Sequence, residues 1–171
     1  MTMQNKYKLE QYTLMQVLGA IKGYDNYKKE YQIAKEDIFS FGSKNYSEYH
    51  EYDQKSKKQI TERVYISGGG YSGSQTENKA LRLEALDSSH GAKVIKAVDT
   101  ARIIMLAELA APKTYAERDK IVQKIYESCK YGHNFIFEYA GINSIGRAQF
   151  YRYRHRYIYI IAENLGYICK K

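Results

Sequence analysis

The sequence is short of the residues that break helices and of those that cross-link chains. Its 171 residues include one proline, Pro112, and no tryptophan. Since proline interrupts helices and few stretches alternate apolar with polar residues, a mainly helical chain is favoured. Two distant cysteines, Cys129 and Cys169, do not make a disulfide framework, which fits a reducing cytoplasm. We expect no membrane span and no signal peptide, because long apolar runs are missing and residues 1–8 are polar.

Acidic residues are scarce in the C-terminal part of the chain, where basic residues are concentrated. The chain has 27 Lys and Arg against 19 Asp and Glu, a net charge of +8. Residues 141–171 contain six basic residues and a single acid, Glu163. Four arginines fall close together there: Arg147, Arg152, Arg154 and Arg156. Solvated helices normally mix charges, so this pattern indicates an anionic partner, by default nucleic acid. The alternative is a basic face that only keeps the protein soluble.

A glycine-rich stretch divides the sequence into two regions. Residues 67–74 contain four glycines and no charged residue, which is typical of a linker. We expect residues 1–66 to form a separate helical region with an interaction or oligomerisation role. Tyrosines spaced by three and four residues favour helices throughout this region. Residues 75–171 are predicted to form a helical bundle, so the fold class is all-α.

Capping signals mark the helices after the linker. Capping boxes are present at Ser74–Glu77 and at Thr114–Glu117, and Gly132 is placed to end the second helix that they define. Between them, helical spacing predicts one apolar face of Val94, Val98, Ala101, Met105 and Leu109. The helix after Thr114 is predicted to bury Ile121, Val122, Ile125, Tyr126 and Cys129.

The last forty residues predict a helix-turn-helix at about residues 133–165. A short apolar helix over 134–140, a turn beginning at Gly141 and a longer basic helix from about 144 have that layout. On a helical wheel, the long helix has a core face of Phe150, Tyr157, Ile161 and Leu165. The alternative is an ordinary terminal helix that closes a bundle.

The other face of that long helix carries the candidate DNA contacts. Arginine pairs with guanine and glutamine with adenine, so Gln149, Arg152 and Arg156 are predicted to contact bases. Arg147 and Arg154 flank the core face and are predicted to contact phosphates. The candidate set is completed by three further residues: Ser144, Tyr151 and His155. Because duplex sites are often read by symmetric dimers, we expect a homo-oligomer, with a dimer as the favoured form.

The stretch from Tyr139 to Gly166, with FYRYRHRYIYIIAENLG over 150–166, resembles a known family. It is similar to the C-terminal end of ArpU/RinA-type late transcription regulators from phages of Gram-positive hosts, which carry a helix-turn-helix like region four of sigma factors. The resemblance implies sequence-specific binding of double-stranded DNA and activation of late phage genes. It also implies the host cytoplasm as location and host RNA polymerase as a further partner. The turn at 142–146 is longer than the family's usual turn.

Three other functions stay open. A phage small terminase subunit also joins a helix-turn-helix to helical oligomerisation segments. An antirepressor or sigma-factor adaptor would bind protein and not DNA. A nucleotide enzyme is the third, since Gly68, Gly70 and Gly73 match the dinucleotide fingerprint, although no second buried strand accompanies it. We expect a non-enzyme with no cofactor and no metal, because no nucleophile, carboxylate pair or ligand cluster is recognisable.

Overall fold

A computed structural model describes residues 7–40, 46–53, 58–65, 75–109 and 114–168. The described residues form five α-helices and two short strands, which confirms the predicted helical class in its coarse form. The chain divides into two compact units, one of residues 1–29 and 89–171 and one of residues 30–88. Within the described ranges, every helix is too short or too polar to cross a membrane.

The first unit is a bundle around one apolar core. It contains the N-terminal part of α1 (Gln11–Ser40), together with α3 (His90–Glu108), α4 (Tyr115–Tyr131) and α5 (Arg147–Asn164). Helix α3 packs against α5, and α4 packs against both. The predicted apolar faces of α3 and α4 are confirmed as buried, and so are Phe150, Tyr157 and Ile161 of α5. Leu165 is only partly buried.

The N-terminal part of α1 contributes to the same core. Val17, Ala20, Ile21 and Tyr24 are buried among the residues of α3, α4 and α5. The Tyr24 hydroxyl donates a hydrogen bond of 2.7 Å to the Asp99 carboxylate on α3. The sequence had placed these residues in a separate region, whereas the structure packs them with the C-terminal helices. The predicted linker at 67–74 lies outside the described residues, and the domain roles assigned on either side of it stay predictions.

Local signals fix the helix ends of this unit. The capping box at Thr114 is confirmed: its hydroxyl accepts from the backbone N–H of Glu117, whose carboxylate accepts from the N–H of Thr114. Ser89 caps α3 in the same way, by accepting from the N–H of Ala92. Gly132 ends α4 with a φ of 60°, a conformation that favours glycine. Ser74, at the other predicted capping box, lies outside the described residues.

The segment between α4 and α5 differs from the predicted motif. The expected helix over 134–140 is replaced by two 3-10 turns, Gly132–Asn134 and Phe137–Tyr139, and α5 begins at Arg147. Phe135 and Phe137, two residues apart, both pack their rings against Phe150, with centroid distances of 5.6 and 5.2 Å. Burial of these alternate rings outweighs the weak helical tendency of so short a segment.

The second unit combines the C-terminal part of α1 with α2 (Gln75–Asp87) and an antiparallel pair, β1 (Tyr46–Asp53) and β2 (Lys58–Tyr65). The register runs from Tyr46 opposite Tyr65 to Asp53 opposite Lys58. The prediction that residues 1–66 form a helical region is therefore wrong for these two strands. The three-residue spacing of Tyr46, Tyr49 and Tyr52 looked helical, but β2 is rich in β-branched and aromatic residues, which favour strands.

Candidate nucleic-acid interface

Helix α5 presents two different faces because its apolar residues recur at helical spacing. Phe150, Tyr157 and Ile161 are fully buried against α3 and α4. Gln149 and Arg152, on the opposite side of the helix, are exposed. Packing of the core face thus fixes the direction in which the polar face of α5 points.

Arg152 and Gln149 form the open part of this polar face. They lie three residues apart, so their side chains are neighbours on the helix surface. The Gln149 side-chain amide donates to the Tyr153 hydroxyl at 3.0 Å. Within the part of the chain that the structure describes, Arg152 has no ion pair and no hydrogen bond. A single exposed guanidinium therefore stands beside an amide on the surface of α5.

Arg156 lies on the same face but is held internally. Its Nε and Nη2 atoms donate to the Glu108 carboxylate of α3, with Nη2 at 2.7 Å, and this bonding raises the pKa of Arg156. The Tyr7 ring covers the guanidinium at 4.9 Å, and it also packs edge-on against Tyr159. Arg156 lines the same cleft as Arg152 and Gln149, with which it was predicted to contact bases, but its guanidinium is already paired with Glu108.

Arg147 and Arg154 point away from Arg152, on the flank of α5 that meets the segment after α4. Arg147 pairs with Glu138, with Nη1 and Oε1 at 3.0 Å. Arg154 is half-buried and lies near Cys129, whose thiol pKa is raised to about 11 by burial, an effect that Arg154 opposes. These two arginines were predicted to contact phosphates on the same duplex as Arg152, and the structure does not bring them together with it.

The remaining candidate residues lie in three places. Ser144 is exposed in the turn before α5. His155 is exposed beside the open face, and partial desolvation of its ring together with the charge of Arg154 lowers its pKa. Tyr151 is half-buried between Arg147 and Phe150, with the Arg147 guanidinium 5.9 Å from its ring centre.

The N-terminus of α5 adds positive character to the open face. Gly146 is the N-cap residue and provides no side-chain cap, and the first turn contains no acid. The first N–H groups of a helix lack partners inside it and attract anions. Ser144 stands next to this end, so a phosphate at the start of α5 would meet a hydroxyl and backbone donors.

The partners of these arginines were invisible to sequence patterns. Glu108 is 48 residues from Arg156, and Tyr7 precedes α1. Only Glu138, nine residues before Arg147, lies close enough for a local pattern to find. No family model, curated protein or solved structure gives a significant match to the chain.

Proposed function

We propose that the protein binds double-stranded DNA through the N-terminal half of α5. Arg152 and Gln149 face the base edges, and Ser144 with the first N–H groups of α5 meets a backbone phosphate. One observation carries the proposal: the Arg152 guanidinium is exposed beside Gln149 and has no carboxylate partner in the described residues. The helix that presents it also contains no acid before Glu163.

The geometry supports contact by the first half of the helix. A recognition helix in the major groove reaches base edges mainly with its N-terminal residues, and arginine and glutamine are well suited to guanine and adenine. The second half of α5 has a different role in this proposal, because Glu108 and Tyr7 hold Arg156 and Tyr159. These contacts fix the orientation of α5, and with it the direction in which Arg152 points.

The charge distribution also favours the unit that contains α5 as the DNA-binding one. The unit of residues 1–29 and 89–171 has nineteen Lys and Arg against nine Asp and Glu, a net +10. Residues 30–88 have eight against ten, a net −2. Attraction to a polyanion is therefore a property of the unit that contains α5.

The finer form of the proposal follows the resemblance to ArpU/RinA-type regulators. In it, the chain is a sequence-specific activator of late phage genes, acts as a homo-oligomer with a dimer favoured, and works with host RNA polymerase. In this form α5 is the recognition helix, and the segment of 3-10 turns takes the place of the predicted first helix. The exposed Arg152 on α5 supports the regulator proposal because an arginine on a helix surface can contact duplex DNA.

The test is fluorescence anisotropy with two duplexes: one selected from a pool by its binding to the full chain, and one of random sequence. We expect Arg152→Ala to cost about 1–3 kcal/mol on the selected duplex and less on the random one. Gln149→Ala should act in the same direction. Arg82→Ala, on α2 of the other unit, is the matched control and should leave binding unchanged. Affinity for both duplexes should fall steeply as salt rises.

Two results would overturn the proposal. Binding that does not weaken with salt would mean that phosphates are not neutralised. An Arg82→Ala variant that loses as much affinity as Arg152→Ala would mean that α5 is not the contact surface.

A further inference from the structure

A pocket of about 500 Å³ opens on the flank of α5 opposite Arg152. The 3-10 segment after α4 forms one wall and the first two turns of α5 form the other. Ligand sites are commonly clefts of about 300–1,000 Å³ with apolar walls and a few convergent polar groups. The volume of this cleft falls within that range, and polar groups contribute more of its surface than apolar groups do.

The charges around the pocket do not cancel. Arg147 and Arg154 border it from α5, and Glu138 is the only carboxylate among its described lining residues. That carboxylate bonds Arg147 on the exposed side. Arg154 is half-buried and, in the described residues, has no carboxylate within ion-pairing distance. A partly buried guanidinium without a counter-charge favours an anion beside it.

The apolar walls are aromatic and rigid. Phe135, Phe137 and Tyr151 border the pocket, and all three rings pack against the buried ring of Phe150. Flat rings fixed in this way offer stacking surface at little entropic cost. The cleft therefore combines a cationic end with aromatic sides.

We infer that this pocket binds a small organic anion, with a phosphate or carboxylate group between Arg147 and Arg154 and a flat apolar body against Phe135 and Tyr151. The site is separate from the DNA surface, since Arg152 and Gln149 face the other side of α5. Glu138 competes with the anion for Arg147. The inference does not depend on DNA binding, because none of the residues that carry it belongs to the open face.

The test uses isothermal titration calorimetry of the full chain with phenyl phosphate, inorganic phosphate and phenol. Phenyl phosphate should bind one site at least about tenfold more tightly than inorganic phosphate, and phenol should not bind measurably. Arg147→Gln and Arg154→Gln should each lower the affinity for phenyl phosphate about tenfold or more. Glu138→Gln should raise the affinity for phenyl phosphate several-fold, because Arg147 then no longer pairs with a carboxylate.

Controls separate this site from loss of fold and from the DNA surface. Arg152→Gln should bind phenyl phosphate like the wild type. Arg147 is largely exposed, so its variant keeps the test valid even where Arg154→Gln unfolds the bundle, as circular dichroism would show. The inference is overturned by equal affinity for phenyl phosphate and inorganic phosphate, by weaker binding in Glu138→Gln, or by displacement of phenyl phosphate with saturating duplex.

Discussion

The two units of the chain differ in how their helices are covered. In the first unit, α3, α4, α5 and the start of α1 enclose side chains with no exposed surface. In the second unit, none of the described side chains, those of residues 30–40 and 76–88, is buried. Ile33, Phe39 and Leu81 are each at least half exposed there. The first unit thus contains a buried core, whereas the described helical side chains of the second unit make surface contacts such as the Tyr31–Asp87 hydrogen bond.

This difference predicts in which unit a substitution should lower the free energy of unfolding. Removal of buried apolar volume costs stability in proportion to the cavity left behind, whereas exposed positions tolerate change. The first unit is also the one with the excess of positive charge. Its core therefore sets the geometry of the surface to which we assign DNA binding.

The largest effect is expected from truncation of a core ring. Phe150→Ala removes a fully buried side chain that contacts the rings of Phe135, Phe137 and Tyr151, and should lower the free energy of unfolding by about 3–5 kcal/mol. Leu81→Ala in the second unit should cost less than about 0.5 kcal/mol. Urea denaturation followed by circular dichroism measures both. Similar losses for the two variants would contradict the contrast between the units.

A matched pair of tyrosine hydroxyls gives an intermediate effect. Tyr24 donates to Asp99 inside the first unit, and Tyr31 donates to Asp87 at an exposed position of the second. Tyr24→Phe should cost about 1–2 kcal/mol, because the partner is charged and the bond is partly shielded from water. Tyr31→Phe should change the free energy of unfolding by less than about 0.5 kcal/mol. A larger cost for Tyr31→Phe in the same denaturation assay would reverse the comparison.

The smallest effect concerns pH. Lys130 on α4 bonds Asp25 on α1 and is the main cause that lowers the pKa of Asp25, with Tyr126 adding to it. A lowered pKa in the folded state stabilises the fold above the ordinary Asp pKa of about 4, and this contribution is lost as pH falls below it. Asp25 is half exposed, so screening keeps the effect small.

Asp25→Asn should therefore unfold with a weaker dependence on pH between about 5 and 3 than the wild type. Lys130→Met removes the same pair from the other side and should behave alike. Thermal melts across this range measure it, and unchanged profiles in both variants would show that the α1–α4 pair does not contribute.

Local patterns were sufficient to predict most helices of the first unit. Apolar spacing identified the buried faces of α3, α4 and α5, and the Thr114 capping box fixed the start of α4. The same spacing failed for Tyr46, Tyr49 and Tyr52, where a three-residue period occurs in a strand. The two 3-10 turns were missed because Phe135 and Phe137 are positioned by Phe150, a tertiary contact.

The candidate site was predicted in part. The helical wheel assigned Arg152 and Gln149 to the outward face of α5, and both side chains are exposed in the structure. It could not foresee that Glu108 and Tyr7 would hold Arg156, because both partners come from distant parts of the chain. The pair of Glu138 and Arg147, nine residues apart, was within reach of a local pattern, but its position beside a pocket was not. Long-range ion pairs follow from the packing of helices and are not encoded in the periodicity of one.

The contact of Tyr7 with Arg156 and Tyr159 has a practical consequence. Tyr7 lies before α1 and its ring contacts α5, so a purification tag or fusion partner joined just ahead of Tyr7 is held next to the last helix of the bundle. Additions placed away from this segment leave the aromatic cover of Arg156 in its native setting.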